Sequence, residues 1–267
     1  MKYGFIGVGN MGKALASCVR KNVKKEDLLI SELNIQKTKE ISLELDCTSS
    51  NNKEIVQKCD LIFIGVKPQN IKELLNQLSE DLINRKKNNN RFILCSMAAG
   101  VSIKKINEYI NDTCPTIRIM PNLAVSVGQG MILVSKNEDV FDDEIINFCK
   151  ILDKAGELDI VEEEMIDKAQ AVTGCAPAYV SIFIESMCDG LVHCGVRRDK
   201  ALQYTLQTIL GTANYIKETN THPAILKDRV CSPQGTTIEG VVTLEDGAFR
   251  SSVINAIINS YNKNKNM

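Results

Sequence analysis

Short apolar runs alternate with amphipathic patterns along the first 160 residues of the chain. The runs have the length of buried strands, and the segments between them repeat apolar residues every three or four positions, as a helix with one buried face does. This alternation predicts an α/β fold in which helices cover a parallel sheet. The run 84–91 is rich in Asn and Lys and has no apolar period, so we expect a solvated loop there. Strands are predicted at 3–8, 28–31, 60–66, 92–96, 116–120 and 130–134, and helices after the first strand and at 35–45, 69–83, 102–111 and 142–155.

The pattern changes near residue 160, where the strand-like runs end. An acidic run, Glu162, Glu163 and Glu164, is expected to form a turn, and the segments beyond it carry only helical patterns. The helix after Pro177 is apolar on more than one side, which is typical of a helix buried on several faces. We therefore predict an α/β domain at 1–160 and an all-helical domain at 161–267. A homodimer is predicted because a second copy would complete the helical core.

Composition argues against several classes of protein. The 267 residues include 32 Lys and Arg against 33 Asp and Glu, a formal net charge of −1, whereas a nucleic-acid-binding protein normally carries a basic excess. No run of about 18 uninterrupted apolar residues occurs, and the N-terminus lacks the pattern of a signal peptide. We expect no nucleic-acid partner, no membrane segment and a cytoplasmic location.

The ten cysteines are expected to be small buried hydrophobes in a reducing compartment. They form no C-x-x-C pair, and the chain is long and not of the disulfide-rich secreted type. Cys188, His193 and Cys194 are close in sequence, but their spacing does not bring three ligands to one face of a helix. No metal site is predicted.

The N-terminal glycines form the clearest chemical motif. Gly7, Gly9 and Gly12 make a G-x-G-x-x-G pattern, with Asn10 and Met11 between them, after a predicted strand and before a predicted helix. Glycines in this context let the backbone approach a pyrophosphate, and the helix start offers free N–H groups to it. The sequence therefore predicts a Rossmann-type dinucleotide-binding domain.

The end of the second strand bears on which dinucleotide is bound. A carboxylate at Glu32 can accept a hydrogen bond from the ribose 2′-hydroxyl and would repel a 2′-phosphate, which favours NADH. Ser31 and Asn34 could instead bind a 2′-phosphate with Glu32 turned to solvent, which favours NADPH. Both alternatives stay open.

Three later segments end predicted strands at the edge where doubly wound sheets bind ligands. They are residues 63–69, residues 96–100 and the segment that ends at Asn122, whose amide can contact the nicotinamide or the substrate. Turn formation alone would also explain Pro68 and Gly100.

Residues 231–239 hold a possible anion site. Thr236 and Glu239 have the spacing of a capping box, which predicts a helix start and by itself explains both residues. The hydroxyls of Ser232 and Thr237, with free N–H groups around Gly235, would also suit a substrate carboxylate.

Taken together, these segments resemble pyrroline-5-carboxylate reductase along essentially the whole chain. The similarity rests on seven ordered motifs: residues 4–12, 66–69, 96–101, 118–122, 172–179, 226–233 and 247–250. The resemblance implies reduction of 1-pyrroline-5-carboxylate to L-proline with NADPH or NADH and no metal. It also implies a dimer formed through the helical domain and, in some members, a decamer.

The resemblance also assigns roles to individual residues. Ser232, Gly235 and Thr236 would hold the substrate carboxylate, and Thr237 would face the ring nitrogen as the catalytic group. The nicotinamide end of the cofactor would be lined by Val66, Lys67, Pro68, Ala98 and Asn122.

The chain departs from the family pattern at three places. Gln234 stands where the first glycine of the substrate loop is usual. Cys175 and Ala176 replace Ser and Gly, and Leu123 and Ala124 replace Thr and Pro. These departures concern the fit of the substrate more than the class of reaction.

Two alternatives to this reductase remain. A β-hydroxyacid dehydrogenase would carry a catalytic Lys on the first long helix of the second domain, and residues 177–194 contain none. A dinucleotide-binding regulator without catalysis is the other, supported by Gln234 and Cys175 alone.

Overall fold

A computed structural model describes residues 1–265, which form two compact units. One unit is Met1–Gly174 with the chain from Lys263, and the other is Cys175–Asn262. The boundary between the units therefore lies one helix later than the predicted boundary at residue 160. The helix that follows residue 160 belongs to the first unit, because its Ile166 is buried against Met120 and Leu133 of the sheet.

The first unit is built on one twisted sheet of eight strands in the order β3-β2-β1-β4-β5-β6-β7-β8. The pairs formed among β1 to β6 are all parallel, as predicted. The strands are β1 Tyr3–Ile6, β2 Leu28–Ser31, β3 Thr48–Ser49, β4 Leu61–Ile64, β5 Ile93–Ser96, β6 Thr116–Met120, β7 Gly130–Lys136 and β8 Gly156–Ile160.

Seven helices cover both faces of this sheet. Successive strand residues point to opposite faces, so Phe5 joins one core cluster and Ile6 joins the other. Phe5 stacks on Phe63 with ring centroids 4.2 Å apart, which packs β1 against β4. The helices are α1 Asn10–Arg20, α2 Ile35–Leu45, α3 Asn52–Lys58, α4 Pro68–Lys87, α5 Ile103–Ile110, α6 Asp142–Ile151 and α7 Glu163–Thr173.

The alternation of strands and helices predicted a sheet that is parallel throughout, and the structure differs at one edge. Strand β7 is antiparallel to β6. Only the short 3-10 turn Leu123–Val127 separates these strands, and a parallel crossover needs a longer connection. The predicted α/β class is confirmed with this difference at one edge.

Two local predictions are wrong. The solvated loop predicted at 84–91 is wrong for its first half, since α4 continues through Lys87 and Arg85 is only 6% exposed, whereas residues 88–91 are an exposed loop. The acidic run is not simply a turn, because α7 begins at Glu163. Strand β3 and helix α3 were not predicted.

The second unit consists of helices that bury almost nothing within one chain. Its buried residues are Cys188, Ala201 and Thr205. Phe183, Leu210 and Ile254 are among many large apolar side chains that remain exposed. Its helices are α8 Ala176–His193, α9 Arg198–Thr219, α10 Pro223–Val230, α11 Thr236–Asp246 and α12 Phe249–Lys265, whose last turn belongs to the first unit.

One apolar stretch passes the length and composition test for a membrane helix. Among the residues that the structure describes, it is Glu163–His193, with mean hydropathy 1.3 and 11% of its best window buried. The stretch is interrupted between α7 and α8, and α8 carries the exposed apolar side chains of the second unit.

Candidate active site

The glycine motif forms a tight turn between β1 and α1. Gly7 has φ +88°, a conformation that side chains disfavour, and its N–H donates to the Ser31 carbonyl at 2.8 Å. A Cβ at Gly12 would lie 2.2 Å from the Gly7 carbonyl oxygen, and a Cβ at Gly65 would lie 2.3 Å from it. These two glycines therefore allow α1 and the end of β4 to approach the turn.

Gly9 has a different environment from these packed glycines. A Cβ at Gly9 would meet no protein atom within 4 Å. Gly9 is the N-cap of α1, and no side chain accepts a capping hydrogen bond from the first N–H groups of this helix. Space beside a glycine at an uncapped helix N-terminus fits the pyrophosphate of a dinucleotide.

A cleft of about 590 Å³ joins several predicted cofactor residues. Asn10 is exposed at the first position of α1, and Met11 is half-buried against the core. Pro68 begins α4 just beyond the lining segment 65–67. The predicted cofactor residues that line the cleft are Gly7, Gly9, Ser31, Glu32, Val66 and Lys67.

The Glu32 side chain is turned toward the glycine turn. Its Oε2 accepts a hydrogen bond from the Val8 N–H at 3.1 Å, and its Oε1 accepts one from the Leu33 N–H at 3.0 Å. Ser31 is 4% exposed, and its hydroxyl donates to Asn52 Oδ1 at 2.7 Å. Asn34 Oδ1 accepts from the Lys37 N–H and caps α2. The carboxylate is thus the polar group that faces the cleft at the end of β2.

Ala98 and Asn122 follow the ends of β5 and β6. Ala98 is 1% exposed, and its N–H donates to Ser96 Oγ at 3.3 Å. Asn122 is half-buried, and its Oδ1 accepts from the Met131 N–H at 3.3 Å. That bond fixes the amide plane and leaves its NH₂ group for another acceptor. Neither residue lines the cleft that contains Gly9.

The predicted substrate loop lies in the second unit and leads into α11. The Gly235 N–H donates to the Ser232 carbonyl at 3.0 Å, which closes a turn. Gly235 is the N-cap of α11 with no side-chain cap, so the predicted capping box is wrong and Thr236 is already the first helical residue. Ser232, Thr236 and Thr237 are exposed at this helix start.

Gln234 adopts the left-handed backbone conformation, with φ +57°. This region costs an L-residue roughly 1 kcal/mol, and glycine occupies it freely. The loop therefore keeps the backbone conformation that a glycine would favour, and the backbone of Gln234 is strained in it. Cys175 stands just before α8 and is half-buried.

Among the cleft residues that sequence reasoning missed are Asn52 and Lys37, which lie near the end of β2. Asn52 begins α3, which was not predicted, and its Oδ1 is held by Ser31. Lys37 lies in the first turn of α2, five residues after Glu32, and places an exposed cation on the cleft wall. The N-cap at Asn34 was the sequence signal that could have placed Lys37 beside the strand end.

No group of three His, Cys, Asp or Glu side chains within residues 1–265 could hold a metal ion. The cysteines of this part of the chain are free thiols, five of them buried. Burial raises the pKa of the Cys59 thiol to about 12 and that of Cys47 to about 11.

Comparison with known proteins covers both units. The family "Pyrroline-5-carboxylate reductase dimerisation" matches residues 163–267, and the family "NADP oxidoreductase coenzyme F420-dependent" matches residues 2–98. Pyrroline-5-carboxylate reductase of Aquifex aeolicus is 31% identical over 100% of this chain and 97% of its own length. The chain belongs to the pyrroline-5-carboxylate reductase family.

Solved structures agree with this membership. The Plasmodium falciparum pyrroline carboxylate reductase with NADP bound has a TM-score of 0.86 at 31% identity, covering 99% of this chain and 97% of that one. The Streptococcus pyogenes enzyme has a TM-score of 0.89 at 30% identity, covering 100% and 99%. The resemblance inferred from the seven motifs is confirmed, and the protein is a reductase of this family and not a β-hydroxyacid dehydrogenase.

Proposed function

We propose that the protein reduces the C=N bond of 1-pyrroline-5-carboxylate with NADPH or NADH and releases L-proline. The observation that supports this most strongly is that each unit contains a helix start without a side-chain cap. One is the uncapped start of α1 beside Gly9, and the other is the uncapped start of α11 beside Gly235. The first suits a pyrophosphate and the second suits a carboxylate.

The cofactor would be held by residues of the first unit. The pyrophosphate would be bound by Gly7, Gly9 and the first turn of α1, Asn10 to Gly12. The ribose would lie beside Ser31 and Glu32. Val66, Lys67, Pro68, Ala98 and Asn122 would line the nicotinamide end. When bound, the reduced nicotinamide supplies the hydride that the imine carbon accepts.

The substrate would be held by the loop before α11. Ser232, Gly235 and Thr236 would bind the carboxylate through a hydroxyl and backbone N–H groups. The Thr237 hydroxyl would face the ring nitrogen and form a hydrogen bond with it. A protonated imine is already electrophilic, so the protein's task is to position the two reactants and fix the nitrogen, without a strong acid.

We propose NADH as the preferred cofactor, and the polar groups at the end of β2 support this. The Glu32 carboxylate is fixed by two backbone N–H groups and places a negative charge at the end of β2. The side chains of Ser31 and Asn34 are already engaged within the protein. Lys37 is the cation on the cleft wall that would oppose this preference.

The helical unit would form a homodimer, since it leaves most of its apolar residues exposed in a single chain. A dimer of this kind also accounts for the apolar stretch Glu163–His193 without a membrane. Assembly of dimers into a decamer, a cytoplasmic location and the absence of a nucleic-acid partner complete the proposal.

The activity is tested by mixing the purified protein with 1-pyrroline-5-carboxylate and either reduced cofactor, and following the reduced nicotinamide absorbance. Cofactor oxidation with proline as product is expected, faster with NADH. Thr237→Ala should lower kcat/KM about 100-fold with cofactor affinity unchanged. Thr243→Ala is the matched control, since the Thr243 hydroxyl donates to the Glu239 carbonyl of its own helix.

Two outcomes would contradict this function. Cofactor binding without turnover would favour the non-catalytic regulator, and restoring glycine at Gln234 would be the first variant to examine. A monomer by sedimentation at micromolar concentration would contradict the homodimer.

A further inference from the structure

An ion-pair cluster around a buried arginine joins β6 to α7 in the first unit. Arg118 is in the middle of β6 and its side chain is 1% exposed. Its Nη1 lies 3.1 Å from Glu163 Oε1, and its Nη2 lies 2.6 Å from Asp167 Oδ1. Both carboxylates are on α7, one turn apart, so the guanidinium ties this helix to the sheet.

Glu163 makes a second contact that a simple ion pair does not need. The same oxygen, Oε1, accepts a hydrogen bond from the Ile103 N–H at 2.8 Å. Ile103 is the first residue of α5, and the Ser102 side chain caps a different N–H, that of Lys105. One carboxylate oxygen therefore joins β6 to the start of α5.

The start of α5 is the end of the loop that carries Ala98. That loop leaves β5 at Ser96, whose hydroxyl accepts from the Ala98 N–H at 3.3 Å. Ser96 is also the register partner of Arg118 in the sheet. The loop is thus fixed at its first end by Ser96 and at its last end by Glu163.

Helix α7 is also the segment through which the chain leaves the first unit. The second unit begins directly after it at Cys175, and the chain returns to the first unit at Lys263. Just after that return, the Asn264 side-chain amide donates to the Asp167 carbonyl at 3.3 Å and its Oδ1 accepts from Gln170. Both chain connections to the helical unit therefore meet the helix that Arg118 holds.

We propose that Glu163, held by Arg118, is a positioning residue for the reduction. It sets the Ala98 loop, which would line the nicotinamide, relative to α7, the helix from which the substrate-bearing unit departs. The inference rests on the proposed function. It assigns a role to Glu163 of the acidic run 162–164, which is part neither of the proposed cofactor site nor of the substrate loop.

The test compares three variants of the full-length protein. Glu163→Ala removes the shared oxygen, and Glu163→Gln keeps an oxygen that accepts from both the Ile103 N–H and Arg118. Glu164→Ala is the matched control, because Glu164 is on the same helix and pairs with Lys168 at 2.6 Å. Each variant is checked for folding and oligomeric state before kinetics with NADH and with NADH deuterated at the transferred position.

We expect Glu163→Ala to lower kcat about 10- to 100-fold and to raise the isotope effect on kcat, because a misplaced reactant slows hydride transfer itself. The Kd for NADH should stay within about 3-fold, since the glycine turn supplies most of the dinucleotide contacts. Glu163→Gln and Glu164→Ala should behave like wild type.

Three results would overturn the inference. They are a folded Glu163→Ala protein with wild-type kcat and isotope effect, equal losses in the Ala and Gln variants, and a loss confined to thermal stability. If Glu163→Ala does not fold, Ser96→Ala releases the other end of the loop, and an unchanged isotope effect there would overturn it as well. A wild-type protein that does not oxidise NADH would instead overturn the proposed function, which is a separate failure.

Discussion

The Glu32 carboxylate accepts a hydrogen bond from the backbone N–H of Val8, at 3.1 Å. Val8 lies inside the glycine turn, so a side chain at the end of β2 and the turn after β1 are joined directly. The bond places the carboxylate charge next to the region where the ribose of a dinucleotide lies in a Rossmann domain. We therefore expect the same residue to act on cofactor choice and on the geometry of the loop.

Removing this charge should change which cofactor is preferred. We expect Glu32→Gln to shift the ratio of kcat/KM for NADH over NADPH about 10-fold or more toward NADPH, because a nearby carboxylate repels a 2′-phosphate. The amide oxygen of Gln can still accept from Val8, so the loop should keep its shape. Initial rates with both cofactors measure the ratio.

Two controls make that result specific. Glu40→Gln removes an exposed carboxylate from α2 and should leave the ratio unchanged. Lys37→Gln should move the ratio in the opposite direction, toward NADH. Equal loss of activity with both cofactors in Glu32→Gln would mean that Glu32 serves only the loop.

Two glycines of the same turn should respond differently to alanine. A Cβ at Gly9 meets no protein atom, so Gly9→Ala should fold normally and weaken NADH binding about 10-fold or more, since the methyl group takes the space of the pyrophosphate. A Cβ at Gly12 would lie 2.2 Å from the Gly7 carbonyl, so Gly12→Ala should lower thermal stability. Cofactor titration by fluorescence and thermal unfolding separate the two effects. Equal thermal stability of the two variants would contradict this interpretation.

The strained residue of the substrate loop gives a prediction about stability. Gln234 has φ +57°, and Gln234→Gly should stabilise the protein by about 1 kcal/mol because glycine adopts this conformation without a penalty. Asn220→Gly is the matched control: Asn220 also has positive φ, +49°, but Asn tolerates this region better, so a smaller gain is expected. Denaturant unfolding at fixed protein concentration measures both. A Gln234→Gly variant no more stable than wild type would show that the strain is relieved elsewhere.

The sequence predicted the parts of the fold that depend on local pattern. Strands 28–31 and 116–120 and helix 35–45 have the same bounds in the structure, because apolar period and flanking polar residues fix them locally. The glycine turn and Glu32 were also recognisable, since their spacing after a strand carries the chemistry. Glu163 was not, because its partners Arg118 and Ile103 are 45 and 60 residues away in sequence.

Arg85 is a second residue whose role could not be predicted from the sequence. The run 84–91 has no apolar period, and a charged residue in it is normally solvated. In the structure Arg85 donates to the carbonyls of Val56 and Cys59 at 2.5 and 2.6 Å. Val56 lies in the last turn of α3, and Cys59 is its C-cap. The guanidinium therefore supplies donors to the end of a helix that the sequence had not predicted.

Arg85→Met should therefore destabilise the protein strongly. The substitution leaves carbonyls at the end of α3 without their donor in a buried position, which we expect to cost about 3 kcal/mol. Lys87→Met, two residues along the same helix, changes an exposed side chain and should alter stability by less than about 0.5 kcal/mol. Chemical denaturation of both variants measures the difference, and hydrogen exchange at the end of α3 should quicken in Arg85→Met alone. Similar stabilities for the two variants would mean that water replaces the guanidinium at these carbonyls and that Arg85 contributes little to the fold.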